Sequence, residues 1–284
     1  MISKPSRYDG SRVALLTQHG KERVIASVLE PGLGCCIELV TGFDTDQFGT
    51  FTRETPRDGT QLEAARRKAR KGMELACASQ GIASEGSFGP DPYTGMFPWN
   101  VELLVWIDDH LGIEVVGIAQ GAAPSGHIES GDWQAVADFA ERVGFPEHHL
   151  VLRPDGQSDT RIYKNIADWT RLKACFDSAV AQSRSGNVFV ELDLRAFANP
   201  GRMKNIEQAA TDLLQRMQST CPTCNTPGFW ISERQPGLPC ASCRLPTSSY
   251  RSEVWTCLRC THRRIAERAD RSVADPAHCA YCNP

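Results

Sequence analysis

Cys221-Pro-Thr-Cys224 is the first of four C-x-x-C pairs in the C-terminal part of this sequence. The others are Cys240/Cys243, Cys257/Cys260 and Cys279/Cys282, so this segment holds eight of the 12 cysteines. A C-x-x-C pair places two thiolates on one tight turn, and two such turns complete the tetrahedral shell that zinc prefers. The spacing therefore predicts two zinc ions, each bound by four cysteines.

Two pairings of these turns fit the spacing. Consecutive pairing joins the first turn to the second and the third to the fourth, and it is the simplest arrangement. An interleaved pairing stays open. Four thiolates close the coordination shell, so we expect the zinc to be structural, since a catalytic zinc keeps an open position. Zinc binding is worth about 10–16 kcal/mol, which can offset the small core of a segment rich in glycine and proline.

Composition limits the class of protein. The chain has 284 residues, of which 41% are apolar, and its 31 basic and 34 acidic residues give a net charge of −3. This balance does not favour nucleic acid as a partner, although the 259–271 stretch is locally basic. No apolar run approaches the ~20 residues of a membrane helix, and the N-terminal sequence has no secretory apolar segment. We expect a soluble, cytoplasmic protein with no membrane partner; its oligomeric state cannot be read from the sequence.

The first 217 residues predict an α/β domain. Apolar runs predict strands at 13–16, 35–41, 81–84, 103–107, 112–118 and 189–194, and amphipathic periodicity predicts helices at 22–29, 61–77, 132–143 and 199–217. Alternation of strands and helices favours a mixed sheet flanked by helices. We therefore expect an α/β domain over 1–217, followed by a small zinc-ribbon-like module over 218–284.

A polar turn, Thr17-Gln-His-Gly-Lys-Glu22, connects the first predicted strand to the first predicted helix. A turn that leads into a helix N-terminus is a favourable anion site, and a lysine adds a point charge for phosphate. Thr17, His19 and Lys21 are therefore candidate phosphate-binding residues. A plain connection between strand and helix is the alternative.

Acidic residues follow in two further clusters. Asp44, Asp46 and Glu54 carry the hard oxygen donors that bind Mg²⁺ or Mn²⁺, although a solvated turn explains them equally well. Glu85 comes directly after the predicted strand 81–84, among small residues that would let a ligand approach. It is a candidate metal ligand or general base, with a simple turn as the alternative.

Two basic clusters complete the candidate site. The helix 61–77 carries five cations, among them Arg67 and Lys68, which face either a polyanion or solvent. In the stretch 193–202, Asn199 is suited to cap a helix, so Arg195 and Arg202 could meet a phosphate at its start. An ion pair between Asp193 and either arginine is the alternative.

Four of these clusters, in this order, resemble motifs of the house-cleaning inosine/xanthosine triphosphate pyrophosphatases and Maf-like proteins. That family runs from a T-x-N-x-x-K turn through a metal-binding glutamate to a T-F-x-E-N-A-x-x-K-A helix and an A-D-D-S-G strand. The counterparts here are 17–21, Glu54, 60–70 and 83–87, within a region of similarity over residues 12–109. The resemblance implies that Lys21 and Lys68 bind a triphosphate and that Glu54 binds magnesium.

The sequence departs from that pattern, in which Asp44 and Asp46 have no counterpart. His19 replaces the asparagine of the turn, which is one residue short, and Ser84-Glu85 stands where the family has two acids. Separately, the combination of H-G-K-E, D-T-D-x-x-G-T-F, S-E-G-S-F-G-P, N-P-x-R-M and the cysteine pairs resembles a bacterial family of unknown function.

The sequence leads to two hypotheses about function. The first is a metal-dependent hydrolase that acts on a phosphate ester or anhydride of a nucleotide or another phosphorylated small molecule. Its catalytic candidates are Glu54, Glu85, Asp44 and Asp46, with Mg²⁺ or Mn²⁺ as cofactor. The alternative is a non-catalytic protein that binds a nucleotide or nucleic acid and uses the zinc module to dock a partner.

Overall fold

The computed structural model describes residues 6–48 and 58–284. It divides into two compact units: the first contains the residues up to Asp108 together with Val116–Leu214, and the second contains Asp109–Val115 and Gln215–Pro284. Among the helices described, none is long and apolar enough to cross a membrane.

The described part of the first unit contains a five-stranded mixed sheet. Its strands are β1 (Arg12–Leu16), β2 (Cys36–Val40), β3 (Gln80–Pro90), β4 (Pro98–Asp108) and β5 (Ile113–Ala122), in the order β2-β1-β3-β4-β5. β1 pairs in parallel with both β2 and β3, whereas β3 and β4 form a long antiparallel hairpin. The prediction of a mixed sheet flanked by helices is confirmed.

Helix α1 (Glu22–Leu33) connects β1 to β2, and helix α2 (Gln61–Ala76) precedes β3. Parallel crossovers are right-handed, and the crossover from β1 to β2 runs across the sheet in the opposite direction to the one from β2 to β3, so α1 and α2 lie on opposite faces of the sheet. Consistent with this, Ala65 and Ala69 of α2 pack against Ala83 of β3. The carboxyl ends of β1 and β3 therefore border the crevice in which open α/β sheets bind ligands.

Strand β3 is longer than the sequence predicts. The prediction ends it at Ser84, with a simple turn as the alternative reading of Glu85, and both are wrong, because β3 pairs with β4 from Gln80↔Asp108 to Pro90↔Pro98. Its small residues remain in the strand, since a continuous hydrogen-bonded ladder compensates for their low intrinsic preference for strands. Glu85 lies opposite Leu103 and projects from the sheet instead of from a loop.

A second, antiparallel sheet completes the described part of the first unit. Its strands are β6 (His127–Ser130), β7 (Leu150–Pro154), β8 (Tyr163–Ile166) and β9 (Val188–Leu192), in the order β6-β9-β7-β8. Helices α3 (Trp133–Arg142) and α4 (Trp169–Gln182) contribute Phe139 and Phe176 to its core. β6, β7, β8 and α4 were not predicted. A 3₁₀ turn at Ala196–Ala198 leads from β9 into helix α5 (Pro200–Gln218).

The second unit contains a three-stranded antiparallel sheet and both cysteine clusters. The strands are β10 (Trp230–Pro236), β11 (Tyr250–Thr256) and β12 (Arg263–Glu267), in chain order. One cluster joins Cys221/Cys224 to Cys257/Cys260, and the other joins Cys240/Cys243 to Cys279/Cys282. Within the described residues these are the groups of at least three side chains that could hold a metal ion.

The sulfur positions fit zinc. The Sγ–Sγ distances are 3.7 Å for Cys221–Cys260, 3.5 Å for Cys224–Cys257, 3.8 Å for Cys240–Cys282 and 3.6 Å for Cys243–Cys279. A tetrahedral zinc with Zn–S bonds of about 2.3 Å separates its ligands by about 3.8 Å. Each cluster can therefore hold one zinc ion.

The pairing is interleaved, so the simpler consecutive arrangement is wrong. The strand register gives the reason: Trp230 at the start of β10 pairs with Thr256 at the end of β11. This places the turn before β10 beside the turn after β11. The second turn lies between β10 and β11, at the opposite end of the hairpin, and Cys240 there forms a bridge with Ala274, close to the fourth turn.

Two double variants test this pairing. Cys221→Ser/Cys257→Ser removes two ligands from one cluster, so we expect close to one zinc ion per chain. Cys221→Ser/Cys240→Ser damages both clusters, so we expect little zinc to remain. Metal analysis of the purified full chain gives both values, with the unaltered protein as the two-zinc reference. The reverse order of zinc contents would contradict interleaved pairing.

Candidate functional site

The turn after β1 has an unusual backbone. His19 and Gly20 both have φ of 73°. Glycine adopts this left-handed region freely, whereas histidine does so at a cost in energy. The turn ends at Lys21, which immediately precedes α1 and is 7% exposed. The local chain therefore directs a buried ammonium group to the carboxyl ends of β1 and β3.

A buried ion pair joins α2 to β3. Lys68 Nζ lies 2.5 Å from Glu85 Oε2, and both side chains are almost fully buried. Arg66 and Arg70 on the same helix are exposed. The basic run on α2 therefore has two roles: its outer cations face solvent, and Lys68 reaches the sheet.

A second buried ion pair joins α5 to β4. Arg202 Nε lies 2.6 Å from Glu102 Oε1, with side-chain exposures of 2% and 0%. A Cβ atom at Gly86 would lie 2.2 Å from Glu102 Oε1 and 2.5 Å from an Arg202 nitrogen. Glycine is therefore required there for the pair to lie against β3.

Lys21 is electrostatically coupled to both pairs. Its pKa is lowered from 10.5 to about 7, first by burial and then by the positive charges of Arg202 and Lys68. The carboxylates of Glu102 and Glu85 partly oppose this effect. These five residues, Lys21, Lys68, Glu85, Glu102 and Arg202, are called the charge cluster below.

The charge cluster favours an anion. When Lys21 is protonated, the five side chains of the charge cluster carry three positive and two negative charges, and they lie in a place that water hardly reaches. An excess of buried charge is costly unless a counter-charge is present. A phosphate group would supply that charge, would accept hydrogen bonds from ammonium and guanidinium groups, and would restore the proton on Lys21.

Phe197 packs beside His19, His149 and Arg195. It is 40% exposed, and its ring lies 5.2 Å from the His19 ring, 5.9 Å from the His149 ring and 4.8 Å from the Arg195 guanidinium. The pKa of His19 is lowered to about 4, first by burial and then by Lys21, Arg195 and Arg202. His19 is therefore neutral at pH 7.

The predicted ion pair in the stretch 193–202 is present. Arg195 donates to Asp193 through Nε (2.9 Å to Oδ1) and NH2 (2.5 Å to Oδ2), and Asp193 is fully buried. Arg195 also donates to Asn165 Oδ1 at 2.8 Å. These contacts fix the turn before α5 and hold Arg195 against Phe197. Arg202 instead pairs with Glu102 in the charge cluster.

Other predicted site residues lie elsewhere. The Thr17 hydroxyl donates to the Gln18 carbonyl at 3.2 Å, and Arg67 donates to the backbone carbonyl of Asp58. Asp44 is exposed at the start of the Thr45–Phe48 3₁₀ turn. Glu54 and the side chain of Asp46 lie outside the described residues. The structure thus brings together Lys21, Lys68, Glu85 and Arg202, with His19 at the edge.

The sequence analysis missed Glu102. The signal was present, because Glu102 is the single charge in the run Val101-Glu-Leu-Leu-Val-Trp-Ile107. A charged residue inside an otherwise apolar strand is seldom buried without a partner. Its partner, Arg202, is 100 residues away in the chain, so sequence spacing could not pair them.

A family model described as a domain of unknown function (DUF6671) matches residues 68–284. The chain belongs to this family. The matched region contains both cysteine clusters and four members of the charge cluster, and Lys21 precedes it. The prediction of an uncharacterised family is confirmed. No curated protein matches the chain, and the resemblance to the pyrophosphatases and Maf-like proteins gains no support from these comparisons.

The lowered pKa of Lys21 predicts a pH-dependent stability. Between about pH 7 and pH 10.5 the amine is neutral in the folded protein and protonated in the unfolded chain. The unfolded state binds more protons there, so stability rises with pH, by up to about 1.4 kcal/mol per pH unit. Urea unfolding at several pH values should show this slope reduced in Lys21→Met and unchanged in Lys204→Met, a control at an exposed position. Equal slopes in all three proteins would contradict the burial of Lys21.

Proposed function

We propose that this protein is a metal-dependent hydrolase that acts on a phosphate ester or anhydride of a nucleotide, and that the charge cluster binds the phosphate groups. One observation carries the proposal: buried Lys21, Lys68 and Arg202 meet two carboxylates at the carboxyl ends of β1 and β3. In open α/β sheets, this edge of the sheet is where ligands bind.

The cations supply the chemistry that phosphoryl transfer needs. Negative charge on the phosphoryl oxygens is stabilised by fixed positive groups in a water-poor site. Glu85 holds Lys68 in place, and Glu102 holds Arg202, so these donors are oriented before the ligand arrives. Lys21 has no such partner at hydrogen-bond distance among the described residues and is the cation best placed to respond to a phosphate.

The charge balance of the cluster also affects how a divalent metal ion would bind there. Glu85 and Glu102 are hard oxygen donors, yet the cations around them outnumber them, which disfavours a divalent ion bound by these residues alone. We propose that Mg²⁺ or Mn²⁺ enters with the phosphates of the substrate, as it commonly does in nucleotide sites. When bound, the ion would neutralise phosphate oxygens. Glu54 and Asp46 remain predicted ligands.

The sequence resemblance supports the same reaction class. Lys21, Lys68 and Glu85 are the counterparts of two triphosphate-binding lysines and one acid in the inosine/xanthosine triphosphate pyrophosphatases. In this structure the three counterparts lie in one cluster although up to 64 residues separate them in the chain. On this basis we propose a nucleoside triphosphate as the substrate.

A second function has its own support. Ser84 occupies the position of the first family acid, and both carboxylates of the charge cluster are engaged in ion pairs. Such a site could bind a nucleotide without hydrolysing it, while the zinc module docks a partner. This alternative predicts tight binding without turnover.

Binding of pyrophosphate and nucleoside triphosphates, with and without Mg²⁺, tests the proposal. Removal of one charge-assisted contact costs about 1.5–3 kcal/mol, so Lys21→Met should weaken binding roughly 10- to 100-fold. Arg70→Met, which removes an exposed cation from α2, is the matched control and should change binding less than about threefold.

Turnover separates the two functions. Release of phosphate or pyrophosphate from a nucleotide panel with Mg²⁺ or Mn²⁺ supports the hydrolase, whereas binding without release supports the alternative. Failure of the unaltered protein to bind any phosphate compound, or equal losses in Lys21→Met and Arg70→Met, would contradict both.

A further inference from the structure

Glu102 is a fully buried carboxylate whose two oxygens differ. Oε1 accepts hydrogen bonds from Arg202 Nε at 2.6 Å and from Asn100 Nδ2 at 3.0 Å. Oε2 is also buried, yet it has no hydrogen-bond partner among the described residues. A buried charged oxygen without a partner is costly, so its retention suggests that a bound group completes its contacts.

The groups around Glu102 fix its orientation. Asn100 donates a second bond to the Ser87 carbonyl at 3.1 Å, and its own carbonyl accepts from Asn205 of α5 at 2.8 Å. Arg202 also donates to the Leu194 carbonyl at 2.7 Å. The carboxylate therefore cannot rotate without breaking contacts to both helix and sheet. Its free oxygen points in one fixed direction.

Glu102 lies on the same face of the β3–β4 hairpin as Ser84. Glu102 pairs with Gly86, and Ser84 lies two residues earlier on the same face of β3, in the diagonal position. The Ser84 hydroxyl is also buried without a hydrogen-bond partner in the described structure. β1 ends at Leu16, whose neighbour Leu15 pairs with Ile82, so this part of β3 lies beyond the end of β1. Lys21, which follows β1, is influenced by the charge of Glu102.

We infer that Glu102 is the general base of the crevice, a role that rests on the proposed hydrolase function. Its Oε2 accepts a proton from the attacking water, which the Ser84 hydroxyl helps to position. The water oxygen forms a bond to phosphorus as the bond to the leaving oxygen breaks, and the leaving group, pyrophosphate after attack at the α phosphorus or nucleoside diphosphate after attack at the γ phosphorus, keeps the electron pair. Protonated Glu102 then releases its proton to solvent, which restores the starting state.

A purely structural role for Glu102, as the partner of Arg202, makes a different prediction. The chain offers a matched control, because Arg153 and Glu191 form another buried ion pair, also at 2.6 Å, in the antiparallel sheet. Glu191 is not part of the charge cluster. Glu191→Gln therefore reports what the loss of a buried carboxylate charge does to folding alone.

The test measures kcat and KM for the best nucleotide of the panel. In Glu102→Gln the amide oxygen can still accept from Arg202 and Asn100, so the fold should be kept while the base is lost. We expect kcat to fall by at least about 100-fold, with KM changed by less than about threefold. Glu191→Gln should leave both values near those of the unaltered protein. In Glu102→Ala, added formate should restore part of kcat, since it supplies a carboxylate to the vacated space.

Each possible result supports or overturns the role of Glu102 as general base. A kcat of Glu102→Gln within about threefold of the unaltered protein overturns the inference, as does a loss equal to that of Glu191→Gln. If Glu102→Gln fails to fold, formate rescue of Glu102→Ala decides, and its absence counts against the base. If the unaltered protein binds nucleotides and hydrolyses none, the base is overturned while the binding site stands. If it binds none, the proposed function itself fails.

Discussion

Excess positive charge in a place that excludes water is stable only when the rest of the fold compensates for it, and this constraint governs the crevice at the carboxyl ends of β1 and β3. Two of the three cations have carboxylate partners at 2.5–2.6 Å, and these pairs join α2 to β3 and α5 to β4. The pKa of Lys21 is lowered by burial and then by the positive charges of Arg202 and Lys68, which the carboxylates of Glu102 and Glu85 oppose only in part. The fold thus holds two cations in ion pairs, Lys68 and Arg202, and a third, Lys21, whose protonation can change near neutral pH.

The arrangement of helices explains how five distant residues meet. The crossover from β1 to β2 through α1 and the crossover from β2 to β3 through α2 run in opposite directions across the sheet, so β1 has a helix on each side of the sheet. Lys68 approaches from the α2 face and Arg202 from the face of α5. Lys21 follows the end of β1 between them. A ligand at this point could contact groups from both faces of the sheet, which a helix N-terminus alone could not provide.

Much of the fold and part of the candidate site could be predicted from the sequence, and the physical reason differs from one element to the next. The cysteine clusters follow from short local spacing, and helix α2 follows from its periodicity; the structure adds the Thr60 cap at its start. Glu102 could not be assigned a partner, since Arg202 is distant in the chain. The length of β3 and the interleaved zinc pairing both depend on strand register, which the sequence does not encode locally.

The zinc unit follows a different rule from the α/β unit. Each described cluster joins two turns that are distant in the chain, so a metal ion bound there would replace long-range contacts that a larger apolar core would make. Stacked arginine and aromatic side chains add to this, as in Arg264 at 4.9 Å from the Trp255 ring. The stability of the zinc unit should therefore depend on bound metal more than on the burial of apolar side chains, whereas the electrostatic interactions of the charge cluster depend on its burial.

Proton uptake on binding is the most direct test of the claim that the charge cluster is an anion site. With a pKa of about 7, Lys21 is only about one-tenth protonated at pH 8, and a bound anion should restore its proton. Calorimetric titration of pyrophosphate at pH 8, in buffers of different ionisation enthalpy, measures this uptake. The account predicts that the unaltered protein takes up close to one proton more per ligand than Lys21→Met does. Equal uptake by the two proteins would contradict it.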